Sequence, residues 1–322
     1  MIHIIGGAGF VGTRLAKVFG ESGQAYRIYD KALADDQFVD VAVSESLKHL
    51  PSADAVINLA AEHRDDVSPR SLYALVNVEG ARNVCDYCRA AGINKIIFTS
   101  SVAVYGFAPE GTDETGNFNP FNDYGRTKME AEAVYREWFE EDPQLRSLVI
   151  VRPAVIFGEQ NRGNVYNLLK QIASKRFIMF GQGTNRKSMA YVQNVAEFIA
   201  FSVNLGIGQH LYNYVDKPDF DIATLVTRCR SVLFDKETVG PKLPAWLGIV
   251  IGYGFDALSA VTSRNFSVSS IRVKKFLGTT AFGTSVARTG FIPRHSLSEG
   301  IEKTVRHEFM NGTAENKVFY TE

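Results

Sequence analysis

The stretch that decides the fold is the opening one, which reads Ile2-His3-Ile4-Ile5-Gly6-Gly7-Ala8-Gly9-Phe10-Val11-Gly12. An apolar run of strand length meets regularly spaced glycines, and an apolar helical pattern follows them directly. Glycine lets backbone amides approach a pyrophosphate, which then sits on the positive end of the helix. Because glycines are also common in turns, the strand before them and the helix after them decide the interpretation. The stretch therefore predicts a dinucleotide site that includes Gly6, Gly9, Phe10, Val11 and Gly12.

An acidic residue ends the second predicted strand. The strand is Tyr26-Arg27-Ile28-Tyr29, and Asp30 follows it. A carboxylate at this strand end accepts hydrogen bonds from a ribose diol and repels a 2′-phosphate. Asp30 therefore favours NAD over NADP as the cofactor.

Bulk composition excludes several classes of protein. The chain has 322 residues, 45% of them hydrophobic, with 35 basic and 35 acidic side chains, so it can bury a large core and shows no broad nucleic-acid surface. Its three cysteines do not make a disulfide framework. Cys85 and Cys88 lie in a predicted helix without a second pair, which favours core or surface thiols over a zinc site. One residue precedes the first strand, so we expect no signal peptide and a cytoplasmic protein.

Strand and helix patterns alternate over the first 150 or so residues. Further strands are predicted at Gln37–Asp40, Ala55–Leu59, Lys95–Thr99 and Leu148–Val151, with helices around 71–91 and 126–139. This alternation predicts an α/β fold, a Rossmann-type doubly wound parallel sheet with a smaller mixed α/β C-terminal substrate lobe. We assign residues 1–158 plus about 188–215 to the NAD-binding domain. Residues of about 159–187 plus 216–322 then form the substrate lobe.

One apolar segment, residues 243–255, has two interpretations. It reads Leu243-Pro244-Ala245-Trp246-Leu247-Gly248-Ile249-Val250-Ile251-Gly252-Tyr253-Gly254-Phe255, and Asp256 interrupts it before it reaches membrane-spanning length. It is either a buried helix of the second lobe or a hydrophobic surface for a partner subunit or a peripheral membrane contact.

A phenol and an ammonium group four residues apart are the candidate chemical groups. Tyr124 and Lys128 share a face if they lie on a helix, and the cation then stabilises phenolate and lowers the pKa of the tyrosine. Tyr124 is thus a candidate acid/base for a sugar or alcohol hydroxyl. Ser101 follows a predicted strand end, at the sheet edge where ligands bind, and supplies a hydroxyl for the same oxygen.

Six ordered motifs together are similar to those of a known family. They are Gly6-x-x-Gly9-x-x-Gly12, Asn58-Leu59-Ala60-Ala61, Asn77-Val78-Glu79-Gly80, Ser100-Ser101-Val102-Ala103-Val104-Tyr105-Gly106, Tyr124-x-x-x-Lys128 and Arg152-Pro153-Ala154-Val155-Ile156-Phe157-Gly158. With them the chain resembles an extended short-chain dehydrogenase/reductase of the NAD-dependent epimerase/dehydratase family, which acts on nucleotide sugars. Residues 290–300 resemble the closing segment of that family, so the resemblance spans most of the chain.

The resemblance implies a role for each catalytic residue. Ser101 orients the reacting hydroxyl or carbonyl, Tyr124 transfers its proton, and Lys128 holds the nicotinamide ribose and tunes Tyr124. Asp40 is expected near the adenine, with a solvated loop carboxylate as the alternative. The remaining cofactor contacts are expected from Val41, Leu59, Ala60, Ala61, Asn77, Thr99 and Pro153. For Asn77 a structural tie between a helix and a loop is the alternative.

Substrate contacts follow less directly from the motifs. Arg162, Lys187 and Arg272 are cations that suit a nucleotide diphosphate, although each is also explained as a solvated charge. The family commonly places arginine where this chain has Lys187. Neutral candidates are His63, Val102 and Asn164, beside Ser101 itself, although His63 is also explained as a loop histidine without a catalytic role. The helices around 71–91 and 126–139 resemble those through which the family pairs, which implies a homodimer.

Departures from the family pattern narrow the reaction. Val102 and Ala103 occupy places where dehydrating relatives carry an acidic pair, so dehydration is not expected. Two reactions remain, C4 epimerisation of a UDP-hexose or UDP-N-acetylhexosamine through a 4-keto intermediate, and NAD(P)H-dependent reduction of a UDP-4-keto-6-deoxy sugar. Asp30 favours NAD and hence the epimerase, while residues 162–169 and 187–192 look like relatives in surface-polysaccharide pathways, some of them 4-keto reductases. A hydroxysteroid-type dehydrogenase is a further alternative, although the basic residues between 162 and 187 favour a phosphorylated substrate.

Overall fold

A computed structural model describes residues 1–64, 67–250, 253, 277–311 and 317–320. The strands are β1 Ile2–Ile5, β2 Tyr26–Tyr29, β3 Ala55–Asn58, β4 Lys95–Thr99, β5 Ser147–Pro153, β6 Val155–Phe157, β7 Met179–Phe180, β8 Arg186–Lys187, β9 Met189–Tyr191, β10 Gly208–Tyr214, β11 Phe220–Asp221 and β12 Lys242–Leu243. The α-helices are α1 Phe10–Ser22, α2 Ser71–Tyr73, α3 Gly80–Ala91, α4 Asp123–Glu140, α5 Asn164–Ala173, α6 Val192–Ser202, α7 Ile222–Phe234 and α8 Leu297–Phe309. A π-helical segment, Ala74–Glu79, joins α2 to α3, and short 3-10 turns occur at Asp35–Gln37, Ser44–Ser46, Val102–Tyr105 and Val286–Thr289.

Six strands of the described ranges form one parallel sheet in the order β10-β5-β4-β3-β1-β2. Ile4 lies opposite Ile28 on one side and Ile57 on the other, so the first strand is central, and all four of its residues are buried. β2 lies on one side of β1, and after β2 the chain crosses over to β3 on the other side of β1. Ligands of such sheets bind at this switch point, outside the carboxyl ends of the strands. The predicted Rossmann-type fold is confirmed.

Helices cover both faces of the sheet. On one face, Val84, Tyr135 and Trp138 of α3 and α4 are buried against the strands. On the other face, Leu15 of α1 packs in one cluster with Phe198 of α6. Spacings of three and four residues along α4 place its apolar side chains on one stripe, which explains why this helix lies on the sheet. The helices predicted around 71–91 and 126–139 are confirmed.

The chain returns to the first sheet after residue 188, because β10 pairs with β5 and α6 packs beside α1. A separate apolar cluster of α5, α7 and α8 forms the second lobe, around Leu169, Val226 and Ile301. Short strand pairs accompany it, β11 with β8 and β12 with β7. The domain boundaries at residues 158 and 188 stay a prediction.

The strand predicted at Gln37–Asp40 is wrong. Residues Asp35–Gln37 form a 3-10 turn, and Phe38 makes an isolated bridge with Asp30. The segment offers two apolar residues in sequence and buries one of them, Val39, so it has too little apolar surface to pair as a strand.

The apolar segment 243–255 begins in β12 and continues as a helical turn over 245–250. Trp246, Val250 and Tyr253 are exposed by 64%, 56% and 52%, which contradicts a fully buried helix. Residues 251, 252, 254 and 255 lie outside the described residues. Across the described part of the chain, no helix is both long enough and apolar enough to span a bilayer.

Candidate active site

A groove of ≈ 560 Å³ runs along the carboxyl ends of the sheet strands. One end is lined by the glycine-rich turn after β1, and the other by the segments after β4 and β5. The groove therefore has a cofactor end and a reacting end within reach of one elongated ligand.

Backbone geometry makes the glycine turn a cradle. Gly6 has a φ of +81°, and a Cβ on it would lie 2.6 Å from the amide nitrogen of Ala60. A Cβ on Gly12 would lie 2.6 Å from the carbonyl oxygen of Gly6. Helix α1 begins at Phe10, and no side chain in the described ranges caps its first amides. Those amides are available to an anion, so the turn fits the pyrophosphate of NAD.

Two carboxylates line the glycine-turn end of the groove in fixed positions. Asp30 accepts hydrogen bonds from the amides of Ala8 at 3.1 Å and Ala32 at 2.9 Å. Asp40 accepts one from the amide of Ala42 at 3.0 Å. Amides that orient a carboxylate before the ligand arrives reduce the entropy lost on binding. The residues present therefore fit NAD.

Two caps bring together the serine and the tyrosine that the sequence predicts to be catalytic. Ser101 caps the 3-10 turn Val102–Tyr105, with its Oγ accepting from the amide of Ala103 at 3.1 Å. Asn122 caps α4 by accepting from the amide of Gly125 at 2.9 Å, which puts Tyr124 in the first helical turn. A Cβ on Gly125 would lie 2.5 Å from the carbonyl oxygen of Ala103, so the glycine permits this close approach. A hydrogen bond joins the side chains of Tyr124 and Ser101.

Desolvation sets the protonation of the pair Tyr124 and Lys128. It raises the pKa of Tyr124 to about 12, against the smaller lowering effect of the hydrogen bond to Ser101. It lowers the pKa of Lys128 to about 7, with Glu132 acting in the opposite direction. Lys128 donates from Nζ to the carbonyl oxygen of Thr99 at 2.7 Å and lies 4.6 Å from the ring centroid of Phe98. The expectation that Lys128 lowers the pKa of Tyr124 is therefore wrong for the protein without cofactor, because burial outweighs a cation directed elsewhere.

A buried ion pair supports this helix, and no motif of the sequence indicated it. Arg152 donates to the two oxygens of Glu132 at 2.8 and 2.5 Å and to the hydroxyl of Tyr105 at 2.5 Å. Glu132 lies one helical turn after Lys128, so the pair holds the segment that carries the lysine. The i, i+4 spacing of Lys128 and Glu132 was the available signal.

Asn77 lies in the π-helical segment and is buried. It donates to the carbonyl oxygen of Glu62 and to Oγ1 of Thr127, each at 2.9 Å, and accepts from the amide of Glu62 at 2.9 Å. Its neighbour Val76 lines the groove. The side chain of Asn77 instead connects the backbone of Glu62 to Thr127 of α4. π-Helical turns often occur at functional sites. The expected cofactor contact of Asn77 stays a prediction.

The other predicted cofactor residues line one groove in the described structure. They are Gly6, Gly9, Phe10, Val11, Gly12, Asp30, Asp40, Val41, Leu59, Ala60, Ala61, Thr99, Tyr124, Lys128 and Pro153. The predicted substrate residues His63, Ser101, Val102 and Asn164 line it as well. Burial lowers the pKa of His63, so its imidazole faces the groove in the neutral form near pH 7.

Two predicted cations are not among the residues that line the groove. Arg162 forms a salt bridge of 2.8 Å with Glu308 and lies 4.2 Å from the ring centroid of Tyr166. Lys187 donates from Nζ to the carbonyl oxygen of Gly278 at 2.6 Å. Arg272 lies outside the described residues.

Further groove residues were not predicted, because they belong to no motif or stand in a motif without an assigned role. They are Lys31, Val39, Val76, Ser100, Ala103, Gly106, Phe121, Asn122, Ala154, Val155, Ile156, Ser188, Thr280 and Phe282. Several are distant in sequence from the glycine turn, and tertiary folding alone brings them to it.

In the described ranges, no group of three His, Cys, Asp or Glu side chains could hold a metal ion. Cys85 and Cys88 are buried, and burial raises the pKa of both thiols. The site offers instead hydroxyl groups for proton transfer beside a cradle for a hydride acceptor.

Comparison with known proteins agrees with this geometry. Residues 2–214 match the model of the NAD dependent epimerase/dehydratase family. The chain is 47% identical over 331 residues to N-acetyl-alpha-D-glucosaminyl-diphospho-ditrans,octacis-undecaprenol 4-epimerase of Escherichia coli O157:H7, covering 100% of this chain and 99% of the relative. It is 26% identical to UDP-glucose 4-epimerase of Vibrio cholerae, covering 95% and 94% of the two chains.

The fold has solved counterparts. A complex of Thermus thermophilus UDP-glucose 4-epimerase with NAD superposes with a TM-score of 0.70 at 19% identity, covering 97% of this chain and 99% of that one. At this identity the likeness supports the fold. The match over residues 2–214 and the full-length relative support more than the fold, and the protein belongs to the NAD-dependent epimerase/dehydratase family.

Proposed function

We propose that this protein is an NAD-dependent C4 epimerase that acts on a sugar attached through a diphosphate. The observation that carries the proposal is the Ser101 and Tyr124 pair, which shares one groove with the glycine cradle. Val102 and Ala103 follow Ser101 and cannot exchange protons, which argues against dehydration at this site. The epimerase predicted from the sequence thus agrees with the family.

The chain's residues each take a separate part of the chemistry. Tyr124 accepts the proton of the sugar 4-hydroxyl as the 4-keto group forms, and Ser101 donates a hydrogen bond to the same oxygen. NAD⁺, when bound, would supply the acceptor for the hydride of C4 and return it to the opposite face of the 4-keto carbon, so the configuration inverts with no net redox change. Tyr124 then returns its proton to the oxygen, now on the opposite side of the ring. Lys128 stabilises the deprotonated state of Tyr124 when it carries its charge.

We infer that the sugar is N-acetylglucosamine and that its carrier is a polyprenyl diphosphate. The full-length relative at 47% identity bears a name with this substrate. The described surface adds a second support, since Ile178, Trp246, Val250 and Tyr253 expose apolar side chains on the second lobe.

A short stretch of chain connects this apolar face to the groove. β12 pairs with β7, and a Cβ on Gly181 would lie 3.4 Å from Ala245 and 4.0 Å from Leu277. Three residues after Leu277, Thr280 lines the groove. Lys175, Arg176 and Lys242 are exposed on the same two strands or next to them, so the face combines apolar side chains with cations, as membrane-surface contacts do. We propose a peripheral contact with the cytoplasmic leaflet here.

A nucleotide sugar is the second candidate substrate. UDP-linked sugars appear in the names of the Vibrio cholerae relative and of the solved neighbour. The diphosphate and the sugar are common to both candidates, so the cradle and the catalytic pair serve either one. The two candidates differ in the group on the far side of the diphosphate, which is a lipid in one and a uridine in the other.

The test supplies polyprenyl-diphosphate-linked N-acetylglucosamine and UDP-N-acetylglucosamine separately, each with and without added NADH. We expect conversion of the lipid-linked sugar to its 4-epimer without consumption of NADH. Conversion of the UDP sugar alone would establish the second candidate. A UDP-4-keto-6-deoxy sugar is supplied as a third substrate, and stoichiometric consumption of NADH with it, without conversion of the other two, would overturn the epimerase and favour the 4-keto reductase. The variant Tyr124→Phe is the matched control for background isomerisation.

We also propose that the chain forms a homodimer through α3 and α4, as the family resemblance implies. The exposed side chain of Leu75, 42% accessible, lies on the helix that leads into α3. The molar mass in solution tests this proposal by light scattering, and a monomer at all accessible concentrations would contradict it.

A further inference from the structure

Residues 317–320, the last described segment of the chain, contact the region of the first strand and helix. Phe319 donates from its amide to the carbonyl oxygen of Gln160 at 2.8 Å, and its own carbonyl oxygen accepts from the amide of Arg162 at 2.7 Å. These two bonds make a bridge between residues 161 and 319. The tail, residues 317–320, is therefore fixed beside the loop that leads to Asn164 in the groove.

The ring of Phe319 packs against the first residue of the phosphate-binding helix. Its centroid lies 5.7 Å from that of Phe10, which itself lines the groove. The guanidinium of Arg14 lies 4.7 Å from the centroid of Phe10 and 5.2 Å from that of Phe319. Arg14 also donates to the carbonyl oxygen of Glu159 at 2.7 Å. Phe319 thus supports Phe10, the residue that forms this part of the groove wall.

Lys317 reaches the glycine turn directly. Its Nζ donates to the carbonyl oxygen of Ala8 at 2.9 Å and lies 5.1 Å from the ring centroid of Phe319. The amide of Ala8 donates to Asp30, so the tail and the ribose-binding carboxylate hold the same residue from two sides. Lys317 also adds a positive charge next to a turn that fits a pyrophosphate.

The tail thereby joins three parts of the cofactor site that are distant in sequence. It contacts the glycine turn through Lys317, the start of α1 through Phe319, and the loop 160–162 through its backbone. The last loop is anchored in turn by Glu308 of α8, which accepts from the amide of Gln160 at 2.6 Å.

We propose that Lys317 and Phe319 are positioning residues for NAD, and that the tail acts as a strap that slows the release of the cofactor. An epimerase uses the same hydride twice, so a slowly released cofactor suits it, and in this respect the inference rests on the proposed function. Neither residue needs to touch the reacting atoms, because each acts through Ala8 or Phe10 of the cradle. The cation of Lys317 opposes release of the pyrophosphate, and the ring of Phe319 keeps the first helical turn in place.

The test measures the dissociation rate of NADH from the full-length protein, by displacement with excess NAD⁺ and the fluorescence of bound NADH. We expect Lys317→Ala and Phe319→Ala each to release NADH about fivefold to tenfold faster, as the loss of one charged hydrogen bond or one aromatic contact implies. The variant Lys317→Arg should restore slow release, since it keeps the charge. The matched control is Tyr320→Ala, because this neighbouring aromatic side chain is 67% exposed.

Two further readouts separate a strap from a merely structural tail. Raising the salt concentration should speed release from the wild type and affect Lys317→Ala less, since the charge at residue 317 is what salt screens. Lower thermal stability with an unchanged dissociation rate in both variants would overturn the proposal. No sugar is present in the measurement, so failure of the epimerase reaction and failure of the strap give different results.

Discussion

Lys128 donates from its Nζ to the carbonyl oxygen of Thr99 at 2.7 Å, at the carboxyl end of β4. The bond connects α4, which carries Tyr124 and Lys128, to β4, and the chain reaches Ser101 two residues after β4 ends. In the protein without cofactor, the side chain of Tyr124 is hydrogen-bonded to Ser101. Lys128 thereby fixes the position of α4 relative to the sheet at this end of the groove.

Replacement of Tyr124 by phenylalanine should separate chemistry from cofactor binding. We expect kcat to fall by about 10²- to 10⁴-fold, the usual contribution of a general acid/base, while NAD still binds. Steady-state turnover and the NAD content of the purified variant are the two measurements. A variant that keeps more than about a tenth of the activity would show that another group moves the proton.

The stability of the cofactor-free protein should depend on pH through Lys128. Burial lowers the pKa of this ammonium from 10.5 to about 7. Between those values the unfolded chain holds the proton and the folded chain has lost it, so the free energy of unfolding rises with pH over that interval. We expect Lys128→Met to have a higher free energy of unfolding than the wild type near pH 7, and we expect this difference to decrease towards pH 10. Denaturant unfolding measures both proteins. A constant difference between the two proteins would contradict the lowered pKa.

Asn77→Ala should destabilise the protein, because it leaves the backbone groups of Glu62 and the hydroxyl of Thr127 without this hydrogen-bonding side chain. The expected loss is about 1–3 kcal/mol in the free energy of unfolding. Asn204→Ala, at an exposed position, is the matched control. Weaker NAD binding at unchanged stability would instead support the direct cofactor contact that the sequence predicts.

Arg162 and Asn164 should have different effects on the reaction. Because Arg162 pairs with the buried Glu308, Arg162→Ala should lower the free energy of unfolding by about 1–3 kcal/mol and leave the KM for the sugar substrate unchanged. Asn164 lines the groove, so Asn164→Ala should raise that KM at nearly unchanged stability. Kinetics combined with denaturant unfolding distinguish the two. A raised KM in Arg162→Ala alone would restore the phosphate contact expected for this arginine.

The apolar face of the second lobe should bind anionic membranes. We expect the protein to sediment with vesicles of phosphatidylglycerol and phosphatidylethanolamine, and Trp246→Ser to reduce the bound fraction. Ile207→Ser is the matched control, since this residue is 61% exposed on the loop before β10. Equal binding by both variants would show that the face serves another partner, and association of protein copies in solution would identify that partner as a second chain.

Local sequence determined the cofactor half of this protein. A strand, a glycine turn and a helix are contiguous in the chain, and Asp30 follows the next strand directly, so their chemistry could be predicted before folding. The spacing of Tyr124 and Lys128 placed them on one helix for the same reason. The short segment Gln37–Asp40 shows the limit of such patterns, because its two apolar residues could not reveal that one of them faces solvent.

Tertiary structure decided the partner of each charge and the wall of the groove. Sequence alone could not distinguish Arg162 from a phosphate-binding arginine, yet it forms a salt bridge with Glu308, a buried carboxylate of α8. Lys128 was expected to act on Tyr124, and burial together with the carbonyl of Thr99 changed its effect. Phe282 and Lys317 come from the last part of the chain to the groove and its glycine turn. Desolvation and long-range contacts set these features, and both depend on how distant segments pack, which local periodicity and motif spacing do not record.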